Sequence, residues 1–212
     1  MDPALQTGDQ NIRDRLLAHG FTEELYGESR PPAVHYFLGG EQSGFYAEFV
    51  SPLQGNALDR KQRPKLTLEI AGIVTQQLRY IELLLHEPWT VHLNSDHFTG
   101  AVRIANPVTY LAQKVLIHGV RDREDRAKDI LYMHDTFELF GAQLPNLAEL
   151  WLKVVSPQLH PRASRTVSQT SKNLFGFLTD DIRRAAEIST HRALSPEAIL
   201  AVCRYGYIQI IG

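Results

Sequence analysis

Residues 106–135, "NPVTYLAQKVLIHGVRDREDRAKDILYMHD", decide the fold of the second half of this chain. Asn106 followed by Pro107 is a capping side chain followed by a proline, a pair that begins many helices. Apolar residues then recur at helical spacing on both sides of a turn near Arg121, where four basic and four acidic side chains fall within nine residues. The stretch predicts two helices that form an antiparallel hairpin, near 107–119 and 124–140.

Two lysines lie at matching depths in this predicted hairpin. Lys114 and Lys128 are each seven residues from the turn, which places both about 10 Å from the bend at 1.5 Å of rise per residue. Asp129 then comes within reach of Lys114. Two interpretations follow: Lys114 and Asp129 form a structural ion pair across the hairpin, or Lys114 and Lys128 form a site for an anion such as phosphate.

The first half of the chain shows shorter elements. A first helix is predicted between Asp9, which caps it, and Gly20, which ends it. Two aromatic-rich runs in "VHYFLGGEQSGFYAEFVSPL", residues 34–53, surround a glycine-rich turn and predict a β-hairpin. Its second strand carries bulky residues on both faces, which predicts a strand covered on both sides. The residues on the two faces are Phe45, Ala47 and Phe49, and Tyr46, Glu48 and Val50.

Two further elements precede the helical hairpin. Apolar residues recur at helical spacing in "GIVTQQLRYIELLLHEP", residues 72–88, so a helix is predicted there until Pro88 ends it. The runs "WTVHL" and "AVRIA", residues 89–93 and 101–105, predict a second β-hairpin.

After the helical hairpin, the pattern stays helical to the end of the chain, apart from a polar stretch at 156–173 that is predicted to be a loop. The C-terminal "YGYIQIIG", residues 205–212, is apolar and β-prone, which predicts a cover for the core or an edge strand in a dimer. The fold class is α+β, with a small, mostly antiparallel sheet in residues 1–105 and a helical region in 106–212, packed together as one unit. The further helices are predicted near 146–155, 179–191 and 196–204.

Composition limits the classes of function. A net charge of −2 gives the whole chain no general attraction to nucleic acid or to an anionic membrane. Cys203 is the single cysteine, so no internal disulfide forms, which suits a reducing cytoplasm. The sequence has no run of 18 apolar residues and its N-terminus does not resemble a signal peptide. A cytoplasmic protein without a membrane span is predicted.

The common catalytic motifs are missing from the sequence. "HEPWTVH" lacks the spacing of a zinc-binding helix, because four residues, one of them a proline, separate Glu87 from His92. The sequence also contains no phosphate-binding loop, no dinucleotide-binding glycine motif and no serine-hydrolase elbow.

The order "NPVTYLAQK…R…KDILYMHD" resembles the helical part of nucleotidyltransferase-fold proteins, especially the AbiEii-like toxin group. The positions that carry this resemblance are Lys114, Arg121, Lys128, Asp129 and Asp135. Upstream, "GFYAEFVSPL" resembles the strand with the family's third acidic residue, which is Glu48 here, and "LLAHGF" resembles the end of the preceding helix. The resemblance covers residues 12–140.

The resemblance implies transfer of a nucleotidyl group from a nucleoside triphosphate to an acceptor, for which RNA and protein are both open. Glu48 and Lys114 would be catalytic, and Glu48 would bind Mg²⁺. Nucleotide binding would involve Lys114, Arg121, Lys128 and Asp129.

The family's first metal-binding motif has no match in this sequence. In the family, a Gly-Gly or Gly-Ser turn is followed by Asp-x-Asp or Asp-x-Glu, and these acids with a third carboxylate hold two magnesium ions. Gly39 and Gly40 are not followed by such a pair, so they are interpreted as a hairpin turn. Asp2 is the one acid upstream of the first helix and its predicted cap, Asp9, because the sequence starts at Met1 near where that strand would end.

The chain is therefore expected either to lack the first half of the catalytic core or to have lost activity. The alternative function is a non-catalytic scaffold or a homo-oligomeric interaction module of the same fold. For Glu48, two roles stay open: the third metal-binding carboxylate, or a structural partner of Arg79, since an unpaired carboxylate on an apolar strand costs several kcal/mol.

Overall fold

The fold is described from a computed structural model, which defines residues 11–26, 33–40, 45–53, 55, 67–95, 98–189 and 191–212. The chain forms two compact units, Met1–Glu82 and Leu83–Gly212. The division at 105/106 and the packing of the two halves as one unit stay predictions. Asp2 and Asp9 lie outside the described residues.

The first unit begins with a helix and an antiparallel three-stranded sheet. Asn11 caps the helix by accepting a hydrogen bond from the Asp14 amide at 2.8 Å. The chain leaves the helix through Gly20, whose positive φ of 84° suits glycine. The elements are α1 (Ile12–Ala18), β1 (Phe21–Tyr26), β2 (Ala33–Leu38) and β3 (Tyr46–Glu48), with sheet order β1-β2-β3. The predicted first helix and first hairpin are confirmed.

A second three-stranded sheet lies in the same unit. Its strands are β4 (Val50–Pro52), β5 (Thr67–Ile70) and β6 (Ile73–Leu78), in the order β4-β6-β5. Strand β6 pairs parallel with β4 and antiparallel with β5. The helix predicted over 72–88 is therefore wrong for 73–78, because three consecutive β-branched residues, Ile73, Val74 and Thr75, favour a strand. Only a short 3₁₀ turn, Ile81–Leu85, is helical in this stretch.

The prediction that both faces of the strand at Glu48 are covered is also wrong. Ala47 and Phe49 pack against the core of the first unit, whose fully buried members are Val34, Tyr36 and Ile73. Tyr46 and Val50 on the opposite face keep 47% and 43% of their surface exposed. Glu48 shares that face, so the desolvation cost expected for a buried carboxylate does not arise.

The second unit is a β-hairpin followed by helices. Strands β7 (Trp89–Ser95) and β8 (Phe98–Ile104) pair antiparallel, which confirms the second predicted hairpin. The helices are α2 (Pro107–Ile117), α3 (Arg123–Phe140), α4 (Leu144–Leu150), α5 (Ser156–Gln158), α6 (Pro161–Leu174), α7 (Asp180–Ile188) and α8 (Pro196–Ile211). A single π-helical segment, Trp151–Val155, joins α4 to α5. The α+β class with a helical second half is confirmed.

Two predictions about the second unit are wrong. The polar stretch 156–173 contains α6, which buries little more than Val167 and Ser171 and so lacks a strong apolar pattern. For residues 205–212, the predicted edge strand is wrong, because 205–211 continue α8; the predicted cover for the core is confirmed, since Tyr207 and Ile210 are buried in it at helical spacing.

Three aromatic rings mark the centre of the helical core. The Tyr207 ring lies 4.9 Å from the Phe137 ring, edge to face, and 5.4 Å from the Phe175 ring, stacked. Its hydroxyl donates to the Leu111 carbonyl at 3.2 Å. Tyr207 therefore connects α2, α3, α8 and the end of α6. In the described part of the chain, no helix is both long and apolar enough to cross a membrane.

Candidate functional site

The helical hairpin has the predicted form, and side chains fix both of its helix starts. Asn106 accepts from the Thr109 amide at 2.9 Å, and its own amide donates to the carbonyls of His86 and Glu87. Asp122 caps α3 by accepting from the Asp125 amide at 3.0 Å. A 3₁₀ turn, His118–Val120, joins the two helices. Asn106 thus anchors the hairpin at one end while Asp122 sets where α3 begins.

Lys114 and Asp129 form the predicted ion pair across the hairpin. The Lys114 Nζ donates to Asp129 Oδ1 at 2.6 Å. The Asp129 side chain is 2% exposed and that of Lys114 15% exposed. The same ammonium lies 5.4 Å from the centre of the Tyr110 ring. A buried carboxylate requires such a partner, since an uncompensated charge in this place is costly.

Arg121 is a second cation at the same carboxylate. Its Nε lies 3.4 Å from Asp129 Oδ2, within ion-pair distance but without hydrogen-bond geometry. Its Nη2 contacts Asp125 at 3.0 Å. The structure therefore brings together three of the predicted nucleotide-binding residues, Lys114, Arg121 and Asp129.

Lys128 lies apart from this group, although it belongs to the same hairpin. Its side chain is 52% exposed, and its Nζ is 3.9 Å from Asp125 Oδ1. An ion pair of this length on a solvated surface contributes little to stability. Of the predicted cations, Lys128 is thus the one most available to a ligand.

The Asp129 charge also acts on Tyr110. Burial and, after it, the nearby carboxylate raise the pKa of the Tyr110 hydroxyl well above its ordinary value. Tyr110 therefore stays protonated at every physiological pH, and its uncharged ring lies beside the Lys114 ammonium.

A second charged cluster at the turn is absent from the sequence predictions. Arg126 Nε contacts Asp181 Oδ2 at 2.9 Å, and His118 Nε2 lies 3.8 Å from the same oxygen. The His118 Nδ1 is buried without a hydrogen-bond partner among the described residues. No local pattern indicates this cluster, because Asp181 is 55 residues from Arg126 and meets it only through the packing of α7 on α3.

His118 gives the stability of the second unit a defined pH dependence. Burial lowers the pKa of its imidazole below 6.5 in the folded state, more than the Asp181 carboxylate raises it. As the pH falls below about 6.5, the unfolded chain therefore takes up a proton before the folded chain does, and stability is lost. Between pH 7.5 and pH 5.5, the melting temperature is expected to fall more for the wild type than for the His118→Gln variant. An equal fall in both proteins would contradict this role for His118.

Asp135, the last acidic residue of the resemblance, is held by Arg192. The two Arg192 Nη atoms donate to the two carboxylate oxygens at 2.8 and 2.9 Å, and His134 Nδ1 lies 3.0 Å from Oδ1. Burial raises the pKa of Asp135, but the hydrogen bonds from Arg192 and His134 outweigh it and hold that pKa below its ordinary value. Asp135 therefore ties α3 to the segment before α8.

Glu48 lies in the first unit and faces His35 across the sheet. The two residues are paired in the register of β2 and β3, with 3.8 Å between His35 Nε2 and Glu48 Oε2. Within the described part of the chain, the side chain that faces Glu48 is thus His35 rather than Arg79. The Tyr46 ring stacks on the His35 ring at 4.2 Å and fixes its position.

The surroundings of Glu48 suit a magnesium ion that arrives with a substrate. Its side chain is 31% exposed, and the contact to His35 is too long to be a hydrogen bond. Within the described residues, no group of three or more His, Cys, Asp and Glu side chains is placed to enclose a metal. Magnesium at nucleotide sites commonly takes one or two protein carboxylates, with substrate phosphates and water as its other ligands. A site of this kind needs few protein ligands, and the role of Glu48 in it stays a prediction.

Gly39 and Gly40 have the conformation expected for a turn. Their φ values are 81° and 83°, a region that favours glycine, and they follow β2 directly. The pairing of β2 with β3 confirms that the chain reverses here. Residues 41–44, the rest of this connection, lie outside the described residues.

A comparison with protein families identifies the chain. A family model described as nucleotidyltransferase matches residues 3–156, which is more than half of the chain. The chain therefore belongs to this nucleotidyltransferase family. No curated protein matches it, and no solved structure matches it.

Proposed function

We propose that this member of the nucleotidyltransferase family transfers a nucleotidyl group from a nucleoside triphosphate to an acceptor. An acceptor oxygen forms a bond to the α-phosphorus, the bond from that phosphorus to the bridging oxygen breaks, and pyrophosphate leaves. The acceptor's proton passes to solvent. The main support is that the family match spans the five candidate residues, Glu48, Lys114, Arg121, Lys128 and Asp129.

Lys114, Arg121 and Lys128 are proposed to contact the triphosphate. Asp129 occupies one of the three N–H donors of Lys114, so donors are left for a phosphate oxygen. Arg121 keeps 33% and Lys128 52% of its side chain exposed. Asp129 holds Lys114 and Arg121 close together, despite the repulsion between their charges. It therefore acts as a positioning residue.

Glu48 is proposed to supply a carboxylate oxygen to Mg²⁺. When bound, the ion neutralises charge on the triphosphate and on the leaving pyrophosphate. The chain's own contribution is to keep Glu48 exposed at the end of β3 and to hold His35 beside it by stacking on Tyr46.

We also propose a finer assignment, a toxin of the AbiEii-like group that acts in the cytoplasm. The order of Lys114, Arg121, Lys128 and Asp129 supports the group. The single cysteine, Cys203, supports a reducing compartment. It is buried, and burial raises its pKa, so it is an inert thiol and not a nucleophile.

Calorimetric titration with each nucleoside triphosphate, with and without Mg²⁺, tests this function. Saturable binding that requires Mg²⁺ is expected, and Glu48→Gln is expected to weaken this Mg²⁺-dependent binding. Lys128→Gln is expected to weaken binding about tenfold, the effect of losing one charged contact of about 1.4 kcal/mol.

The matched control is Lys153→Gln, since Lys153 is an exposed lysine paired only with Glu149 on its own helical turn. It is expected to bind the triphosphate like the wild type. An absence of binding at millimolar ligand, or equal losses in both lysine variants, would contradict the proposed function.

A further inference from the structure

The longest acid-free part of the helical unit surrounds α6. Residues 150–179 contain no Asp or Glu, in a chain whose net charge is −2. They contain four basic residues, Lys153, Arg162, Arg165 and Lys172. Lys153 is paired with Glu149, whereas the three cations on α6 have no carboxylate partner among the described residues. Most of this segment lies beyond residue 156, where the family match ends.

The three unpaired cations lie on one exposed face of α6. Arg162, Arg165 and Lys172 are separated by three and seven residues, which is the spacing of one helix face. All three are exposed. They extend over about 15 Å of helix axis at 1.5 Å per residue. The other exposed residues of α6 are Pro161, Thr166, Gln169 and Asn173, so the helix presents polar groups and cations to solvent.

An exposed aromatic ring follows this face directly. Phe177 lies three residues beyond the end of α6 and is 67% exposed. Arg204 holds the turn that presents it, by donating to the Phe175 carbonyl at 2.7 Å and the Gly176 carbonyl at 2.6 Å. A single exposed apolar ring is common on a protein surface, so the informative feature is its position directly after the row of cations.

We propose that the α6 face, with Phe177, binds a single-stranded segment of a nucleic-acid acceptor. Cations in a row neutralise successive phosphates, and an exposed aromatic ring stacks on a base; proteins that bind single strands combine these two features. A membrane is the poorer partner, because α6 itself exposes no large apolar side chain to enter a bilayer. Helix α6 packs against α2, which carries Lys114, so the proposed surface and the proposed triphosphate site share one unit.

The claim that the bound nucleic acid is the acceptor rests on the proposed nucleotidyl transfer. Binding itself is independent of it, and is therefore measured without nucleoside triphosphate. Fluorescence anisotropy of labelled single-stranded RNA and DNA oligonucleotides, titrated with the full chain at 50 and 200 mM salt, reports affinity and its salt dependence.

The triple variant Arg162→Gln, Arg165→Gln, Lys172→Gln is expected to lose both affinity and salt dependence. Each phosphate contact contributes about 0.7 to the slope of log affinity against log salt for a single strand, so three contacts contribute about 2. Between 50 and 200 mM salt, the wild type should therefore lose about 20-fold more affinity than the variant. Triphosphate binding by the triple variant should be unchanged. A failure of the proposed nucleic-acid surface can therefore be distinguished from a failure of the proposed function.

Phe177→Ala is expected to weaken binding about tenfold, by loss of one stacked base, and to leave the salt slope unchanged. Leu152→Ala is its control, because Leu152 has the same 67% exposure. The charge-matched control for the triple variant is Arg13→Gln, Lys153→Gln, Arg183→Gln, in which each replaced cation is paired with a carboxylate.

Binding of either RNA or DNA with these losses supports the proposed surface. Three results would overturn it: no saturable binding to either oligonucleotide, losses no larger in the α6 and Phe177 variants than in their controls, or a wild type that binds anionic phospholipid vesicles and not the oligonucleotides.

Discussion

Replacement of Asp129 by asparagine is expected to lower the free energy of unfolding by about 3 kcal/mol, the lower end of the range for breaking a buried ion pair. The Asp129 side chain is 2% exposed, and both Lys114 and Arg121 lie within ion-pair distance of it. The asparagine keeps the volume but leaves two cations facing a neutral group. The loss stays at the lower end because Arg121 is one-third exposed and regains water.

Chemical denaturation of the full chain measures this loss, and thermal melting should show a decrease of roughly 6–12 °C. Asp125→Asn is the matched control. Asp125 also contacts Arg121, and it is four residues from Asp129 on the same helix, but it is 30% exposed. Its removal is expected to cost less than about 1 kcal/mol, as for other surface pairs. If the two variants lost equal stability, the Lys114–Asp129 pair would not be the buried centre of the hairpin.

Gly206→Ala is expected to destabilise the helical unit by about 2 kcal/mol, although alanine is the better helix former. A Cβ at this position would lie 2.2 Å from the Phe137 Cδ1 atom, in a place where Tyr207 packs on the same ring. Overpacking of a core costs about 1–3 kcal/mol, and more where the ring cannot move, whereas the gain in helix propensity is about 1 kcal/mol. The contact between the added Cβ and Phe137 is therefore the reason why this substitution lowers stability.

Gly141→Ala is the control for this substitution, because nothing lies within 4 Å of the added Cβ and the backbone there has a right-handed φ of −54°. It is expected to leave stability unchanged or raise it by up to about 1 kcal/mol. The double variant Gly206→Ala, Phe137→Leu should lose less than the two single losses combined, since the smaller side chain makes room. Full additivity would show that the two residues do not meet.

Local signals made the helical hairpin predictable. Asn106, Pro107 and the charged turn mark where α2 begins and where the chain reverses, and a helix rise of 1.5 Å per residue then brings Lys114 opposite Asp129. None of these steps depends on residues distant in sequence. The ion pair between Lys114 and Asp129, at 2.6 Å, confirms the structural interpretation of Lys114. A contact between Lys114 and a triphosphate stays a prediction.

The errors have different physical causes. In 73–78, an apolar pattern fits both a helix and a strand, and the consecutive β-branched residues favour the strand. In α6, few apolar residues are buried, so the pattern is almost polar, although His160 before Pro161 is a helix-start signal. The Arg126–Asp181 contact depends on tertiary packing and has no local signal at all.

The most direct test of nucleotidyl transfer follows the phosphorus atoms of the triphosphate. The full chain is incubated with Mg²⁺, a single-stranded RNA or a protein acceptor, and triphosphate labelled with radioactive phosphorus at either the α or the γ position. Label from the α position is expected to appear on the acceptor, pyrophosphate is expected to form, and label from the γ position should stay off the acceptor. Transfer of the γ label, or of no label while the triphosphate is bound, would contradict nucleotidyl transfer by this chain.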